Sequence, residues 1–313
     1  MAASLLLAGA AAGLAALTPA LASRRERAIE AAFPPLGQII RISGHRVHVL
    51  QRGAGPDVVI LHGASGNLRD LVPLIDSLAP HFRVTAFDRP GLGWSDPIPD
   101  GALLAAQARH LAQAARSLGI ARPLLIGQSY GGSVGLAWAL EGLLDLRALV
   151  LVSSPCLPWP GKLDPWYRLT ALPLGRGLAI PLAAAFVPQA YVAATTRDIF
   201  APDPVPPGYA KAIGAALALR RNSLLANTSQ VNALRAQLVH QSTRYPSLTL
   251  PIEAIHGDAD TIVPLGVHSG PFTALMPSAR LTILPGGGHM PHHAAPEAVL
   301  AAVHRAHARS GSH

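Results

Sequence analysis

Leu124-Leu125-Ile126-Gly127-Gln128-Ser129-Tyr130-Gly131-Gly132-Ser133 decides the fold. A short apolar run passes through Gly127-Gln128-Ser129-Tyr130-Gly131, a G-x-S-x-G, into a small-residue segment with a helical pattern over 133–140. A serine on so sharp a strand-to-helix turn needs small neighbours to avoid backbone clashes, and its hydroxyl then stands above the C-terminal end of the strand. A glycine-rich phosphate loop is the competing reading. The chain has no G-x-x-x-x-G-K-[ST], which sets that reading aside.

Working outward, similar apolar runs bounded by turn residues recur at 58–61, 84–87, 123–126, 148–152, 252–255 and 281–284. Such runs suit strands buried on both faces of a parallel sheet. Two alternating segments, 37–42 and 45–52, flank Ser43-Gly44 and predict a hairpin. Helical patterns lie between the runs, clearest at 103–118, 133–140 and 294–308. The expected class is α/β, with a mostly parallel eight-stranded sheet flanked by helices. The alternation breaks after Val152 and resumes at Leu250, across a stretch with helical pattern and several prolines but no strand. This predicts a core formed by 37–156 and 248–313, with a helical cap inserted at 157–247.

Composition excludes several alternatives. Half the residues are hydrophobic and only 13% are charged, so the chain is not disordered. Cys156 is the only cysteine, which excludes a disulfide scaffold and a Cys-based zinc site. The net charge of +8 raises the question of nucleic acid. Nine of the Lys and Arg residues, against three Asp, lie in 157–247, scattered along helical segments rather than clustered among aromatics. No nucleic-acid partner is therefore expected, and the basic excess reads as a solvated face or one turned towards anionic lipid.

Residues 2–23 carry no charge, and Arg24-Arg25-Glu26-Arg27 follows at once. As a helix, 22 residues span about 33 Å, enough for a bilayer core. The basic residues lie downstream of the apolar stretch, which favours an uncleaved membrane anchor with the body on the cytoplasmic side. The alternative is a secretory signal cleaved near Ala20-Leu21-Ala22, giving a secreted or periplasmic protein. Residues 24–36, ending in Phe33-Pro34-Pro35-Leu36, read as a linker.

A serine hydroxyl becomes a useful nucleophile only beside a base, and that base needs an orienting carboxylate. His256-Gly257-Asp258-Ala259-Asp260 lies just past one apolar run, and Pro285-Gly286-Gly287-Gly288-His289 just past the last. Serine, aspartate, histidine is the chain order expected for such a triad on an α/β sheet. Asp260, deeper in its loop, is the expected acid, and Asp258 beside Gly257 reads as a turn former. His292 and His293 read as surface or cap residues at a helix start. Two amides are needed for an oxyanion: Tyr130 supplies one and Ala64, after Leu61-His62-Gly63, the other, with His62 as a brace for the loop.

Together His62-Gly63-Ala64, Asp88-Arg89-Pro90-Gly91-Leu92-Gly93-Trp94-Ser95, Gly127-Gln128-Ser129-Tyr130-Gly131-Gly132, Gly257-Asp258-Ala259-Asp260 and Gly288-His289 resemble the α/β-hydrolase superfamily, in its lid-bearing esterase, epoxide-hydrolase and peptidase branch. The resemblance implies Ser129 as nucleophile, Asp260 as acid, His289 as base and Ala64 with Tyr130 as oxyanion donors. It also implies a structural role for 88–95 and a cap over the pocket. Epoxide hydrolases and haloalkane dehalogenases carry a carboxylate where Ser129 stands, which disfavours an alkyl-enzyme mechanism. The expected function is cofactor-free and metal-free hydrolysis of carboxylic esters with a small apolar acyl group, membrane lipid being a further partner to consider. The same triad acting on amides, carbon–carbon bonds or in perhydrolysis is one alternative, and a ligand-binding receptor of this fold is another. Trp159, Trp166, Tyr167, Phe186, Tyr191, Phe200, Tyr209 and Tyr245 fall in the cap, either as its own packing or as an apolar pocket wall.

Overall fold

The computed structural model describes residues 2–311, with side chains from Leu17 onward. Eight strands form one sheet in the order β1-β2-β4-β3-β5-β6-β7-β8. β1 (Gln38–Ile42) and β2 (His45–Arg52) pair antiparallel across Ser43 and Gly44, both at positive φ, which supplies the tight hairpin. β2 also pairs antiparallel with β4 (Arg83–Phe87). β3 (Asp57–Leu61), β5 (Leu124–Gln128), β6 (Ala148–Val152), β7 (Ile252–Gly257) and β8 (Ala279–Leu284) continue the sheet in parallel with β4.

The period-2 geometry of a strand sends alternate side chains to opposite faces, and both faces here are covered. Val59, Leu61, Leu125, Leu149 and Leu151 pack on one side with α3 (Leu104–Ser117) and α4 (Tyr130–Leu140). Val58, Ile60, Ile126, Val150 and Val152 pack on the other with α2 (Val72–Leu78) and α12 (Pro296–Ser310). This double burial explains why the central strands read as unbroken apolar runs. Trp138 is fully buried in the first layer, and its truncation to alanine costs about 3–5 kcal/mol on the scale of such core deletions.

Between β6 and β7 the chain forms helices only: α5 (Pro165–Ala171), α6 (Pro173–Phe186), α7 (Gln189–Phe200), α8 (Tyr209–Ala212) and the long α9 (Arg221–Ser242). These lie within the stretch expected as a cap. After β7 come α10 (Ser269–Leu275) and, past β8, the single turn α11 (Pro291–Ala294).

The N-terminal region differs from expectation. α1 (Ala2–Ala32) runs through most of the stretch expected as a linker and packs against α6. Residues 24–32 are good helix formers, and the turn ends at Pro34-Pro35, where no helix can continue. Glu26 holds Arg221 through both carboxylate oxygens (2.7 and 2.9 Å), Glu30 pairs with Arg220 (3.0 Å), and the Arg25 guanidinium donates to the carbonyls of Ala184 and Val187. These partners lie more than 150 residues away, so the segment is a docked brace between the N-terminus and the cap. Most side chains of the expected anchor or signal, 1–23, lie outside the described residues. Among the described residues no single helix is long and apolar enough to cross a membrane; α6 and α7 meet that measure only as a pair bent by 103°.

Candidate active site

Ser129 sits between β5 and α4 with φ 48° and ψ −124°. This sparsely populated conformation costs about 1–3 kcal/mol and persists only where the surroundings enforce it. They do so by close approach. A Cβ on Gly127 would lie 2.3 Å from Gly132 Cα, and one on Gly131 would lie 2.2 Å from the Leu61 carbonyl oxygen. The Ser129 amide donates to the Val152 carbonyl (2.8 Å), pinning the turn to β6.

The loops after β7 and β8 are laced together. Asp258 N donates to Leu284 O, Ala259 N to Gly287 O, and Gly286 N to the Asp258 carboxylate (2.7 Å). A Cβ on Gly257 would lie 2.1 Å from the Gly287 carbonyl oxygen, so only glycine allows this contact. Asp258 thus fastens the turn, and Asp260 is the carboxylate that reaches the histidine. His289 Nδ1 donates to Asp260 Oδ2 (2.8 Å), and its Nε2 lies 3.1 Å from Ser129 Oγ. All three residues are at least nine-tenths buried.

Asp260 is saturated with donors. Its Oδ1 accepts the amides of Ile262 and Val263 (both 2.9 Å), and its Oδ2 also accepts from His256 Nε2 (3.1 Å). Burial alone would push this carboxyl up; the hydrogen bonds from His256 and His289, with the Val263 amide, hold it well below the usual carboxylate range. It therefore stays ionised and fixes the imidazole with its proton on Nδ1, leaving Nε2 as the acceptor facing Ser129. His256, in turn fixed by Ser269 Oγ (2.7 Å), supports this carboxylate, a role that its place in His256-Gly257-Asp258 does not signal.

Gly63 packs against Ser129: a Cβ there would come 3.0 Å from Ser129 Cβ. Ala64 follows it directly, and Tyr130, first residue of α4, has no intrahelical partner for its amide. His62 braces this loop. Its Nδ1 donates to Gly63 O and its Nε2 accepts the Arg89 amide (both 2.9 Å), while burial and then the Arg89 charge push its pKa down to about 4.

Arg89, read from sequence only as part of a structural loop, is a hub. It is fully buried, donates to the carbonyls of His62 (2.9 Å) and Gly63 (3.0 Å) and to the side-chain oxygens of Gln107 and Gln230, and lies 4.3 Å over the Tyr130 ring. Asp88 accepts from His48 Nδ1 (2.6 Å) and from the amides of Leu68 and Trp94 (both 2.7 Å), so 88–95 is a fastened loop as expected. From the cap, Asn227 accepts the Ser65 amide (2.7 Å) and Gln230 donates to Pro90 O (2.8 Å). Neither of these polar α9 residues was singled out in the sequence.

The cap aromatics divide. Tyr245 packs edge-on to Phe272 and donates to Cys156 O, as core. Phe200 and Tyr209 pack with Met290, next in sequence to His289, while Phe186 and Tyr191 are exposed. His292 and His293 depart from the surface role expected of them: both turn inward onto Asp70, with His292 2% exposed. Asp70, His292 and His293 are also the one group among the described residues whose ligating atoms, all within 4.8 Å of one another, suit a metal ion. Two surface clefts, of about 380 and 520 Å³, lie between α1, 91–97 and α9 and beside Trp159; neither is lined by Ser129.

Comparison with known proteins agrees with this geometry. A family model described as the alpha/beta hydrolase fold matches residues 56–296. The chain is 31% identical over 266 residues to the pimeloyl-[acyl-carrier protein] methyl ester esterase of Edwardsiella ictaluri, covering 80% of this chain and 93% of that one. An esterase from Thermogutta terrifontis superposes with a TM-score of 0.71 at 21% identity, covering 88% of this chain and 99% of that one. A structure described as a membrane phospholipase A superposes with a TM-score of 0.64 at 21% identity, covering 97% of both chains. With the matched family model spanning most of the sequence, the chain belongs to the α/β-hydrolase superfamily and is an enzyme of that fold.

Proposed function

We propose that this enzyme is a serine hydrolase that cleaves carboxylic esters through an acyl-enzyme. The observation that carries the reading is the buried chain of hydrogen bonds from Asp260 Oδ2 through His289 to Ser129 Oγ. Binding alone has no use for such a relay, which argues against a receptor of this fold. In the reaction, His289 Nε2 takes the Ser129 proton as Oγ attacks the acyl carbon. The negative charge that develops on the carbonyl oxygen is received by the amides of Ala64 and Tyr130, and Asp260 stabilises the imidazolium. His289 then gives its proton to the departing alcohol, and water repeats the cycle on the acyl-enzyme. The relative named as a methyl ester esterase supports an ester over an amide.

The membrane is the proposed working place. Residues 2–23 are uncharged, and α1 packs on α6, whose Leu174, Leu178, Leu182 and Phe186 form an exposed row at four-residue spacing. Leu174 is 75% exposed, and such contiguous apolar surface suits a lipid interface. The exposed Arg24 and Arg27 beside it favour anionic headgroups on the cytoplasmic side.

A fluorophosphonate probe tests the chemistry. The native enzyme is expected to label stoichiometrically, and Ser129→Ala not at all. Equal labelling of both forms, or none of either, refutes the reading.

A further inference from the structure

Asp70 lies in the single turn Leu68–Leu71, 5% exposed, more than two hundred residues from the histidines it binds. Its carboxylate gathers donors from two other parts of the molecule. Tyr209 of the cap donates its hydroxyl to Oδ1 (2.7 Å), His293 Nε2 donates to the same oxygen (2.8 Å), and His292 Nε2 approaches Oδ2 (3.3 Å). The Tyr209 ring stands edge-on to His293 (5.1 Å) and to Phe200 (4.7 Å). Burial would push the Asp70 carboxyl up, but His292 and then His293, by their proximity and hydrogen bonds, hold it well below the usual range.

The same stretch of cap takes a second hold on the strip that carries His289. Asp203 accepts the Gly288 amide (2.7 Å), and a Cβ on Gly288 would lie 2.6 Å from the Ala201 carbonyl oxygen. The strip 286–293 is thus gripped on one side by Asp70 in the core and on the other by residues 200–209 of the cap. Three donors on one carboxylate also resemble a metal site. His292 Nδ1, however, is buried with no hydrogen-bond partner among the described residues. A metal on Nε2 would force a proton onto that nitrogen with nothing to accept it, whereas a hydrogen-bonded Nε2 leaves only an unshared lone pair there. The geometry is that of a hydrogen-bonded latch.

Ser129 is 9% exposed and His289 4%, so little of either side chain is open to solvent with residues 200–209 of the cap docked as they are here. We infer that Asp70 is a positioning residue that couples closure of the cap to the aim of the catalytic base: docking of Tyr209 on the carboxylate completes the support of the strip that points His289 at Ser129, and opening the cap withdraws it. This rests on His289 acting as base. The open enzyme then admits ester while its base is slack, and acyl transfer follows only after closure, which confines the activated serine to a water-poor site.

The test uses the full chain with Tyr209→Phe, Asp70→Asn and the double variant. Turnover of a p-nitrophenyl acetate probe, thermal midpoint and hydrogen exchange of 286–290 are measured. Tyr209→Phe is expected to fold with a midpoint within about 4 °C of native. Its kcat is expected to fall about tenfold at unchanged KM, with faster exchange at 286–290, as loosened positioning predicts. Asp70→Asn is expected to lower kcat about a hundredfold, and the double variant to be no worse, because Tyr209 acts through that carboxylate. Native kcat in Tyr209→Phe, or losses that multiply in the double variant, overturns the coupling. Stoichiometric Zn²⁺ that survives dialysis in the native enzyme and is lost in Asp70→Asn overturns it as well. His289→Ala separates the layers: if it keeps full turnover, the reading of the base fails; if it is inactive while Tyr209→Phe is native, only the latch fails.

Discussion

Replacing Asp260 by asparagine keeps the shape of the side chain and reverses what one of its two ends can do. Oδ1 accepts two backbone amides, from Ile262 and Val263, at 2.9 Å each. The amide oxygen of asparagine has to occupy that position, since an NH₂ there would face two donors, and each unsatisfied buried group costs about 1–3 kcal/mol. The NH₂ therefore lands where Oδ2 was, 2.8 Å from His289 Nδ1. That nitrogen then becomes the acceptor, the proton moves to Nε2, and Nε2 faces Ser129 Oγ as a donor. The base is lost while every heavy atom stays in place. A wrong tautomer of this kind lowers kcat by about 10⁴, equivalent to about 5 kcal/mol of transition-state stabilisation. Stability is also expected to fall, because the new NH₂ meets the His256 Nε2 proton. The assay is hydrolysis of p-nitrophenyl butyrate at pH 8, with Asp258→Asn as control, since the Asp258 carboxylate accepts the Gly286 amide rather than a proton from His289. An Asp260→Asn enzyme within tenfold of native, or a larger loss in Asp258→Asn, refutes the assignment.

Acid sensitivity follows from the buried histidines. The folded pKa of His62 lies near 4, below its unfolded value of 6.5, so the unfolded chain takes up its proton first. Stability is then full above pH 6.5 and declines as pH falls to 4, by about 3 kcal/mol from His62 alone. His268, also pushed down to about 4 by burial, adds in the same direction. The depressed carboxyls of Asp70, Asp88 and Asp260 keep their contribution throughout that window and lose it only below about 4, the unfolded value. Equal urea midpoints at pH 7 and 4.5 would contradict this account. For the membrane, Leu174→Glu with Leu178→Glu is expected to reduce sedimentation with anionic vesicles by at least about tenfold while turnover of a soluble ester stays native; each buried leucine contributes about 1.5–3 kcal/mol. Undiminished sedimentation would remove α6 from the interface.

What could be read from sequence depended on the range of the interaction. The strands were legible because β5, β6 and β7 are buried on both faces and so carry no polar alternation. That Ser129, Asp260 and His289 meet was legible because each lies at or shortly past the end of a strand, in loops where glycines such as Gly127, Gly131 and Gly257 make close backbone contacts. The brace formed by 24–32 was not, because Glu26 and Glu30 find their arginines nearly two hundred residues on. Asp70 was silent for the same reason: nothing in Asn67-Leu68-Arg69-Asp70-Leu71 marks it, and without it His292 and His293 look like residues at an exposed helix start.

Arg89 shows how such a silent residue bears on the chemistry. A buried cation normally sits beside a carboxylate, because an unpaired one costs several kcal/mol. The oxygens on this guanidinium are instead neutral: the carbonyls of His62 and Gly63 and the amides of Gln107 and Gln230. Burial lowers its pKa to about 10, which still leaves it charged at neutral pH. The uncompensated charge therefore spreads into its surroundings, where it helps keep His62 neutral and sits 4.3 Å over the ring of Tyr130. The Tyr130 amide and the Gly63–Ala64 loop are the places where the proposed reaction develops negative charge. A positive potential fixed there before substrate arrives costs no reorganisation during the reaction, and its folding cost is carried by the same four oxygens that hold the loop in shape. One side chain thus bears on both the geometry and the electrostatics of the proposed oxyanion site, and its hydrogen bond to Gln230 ties it to α9.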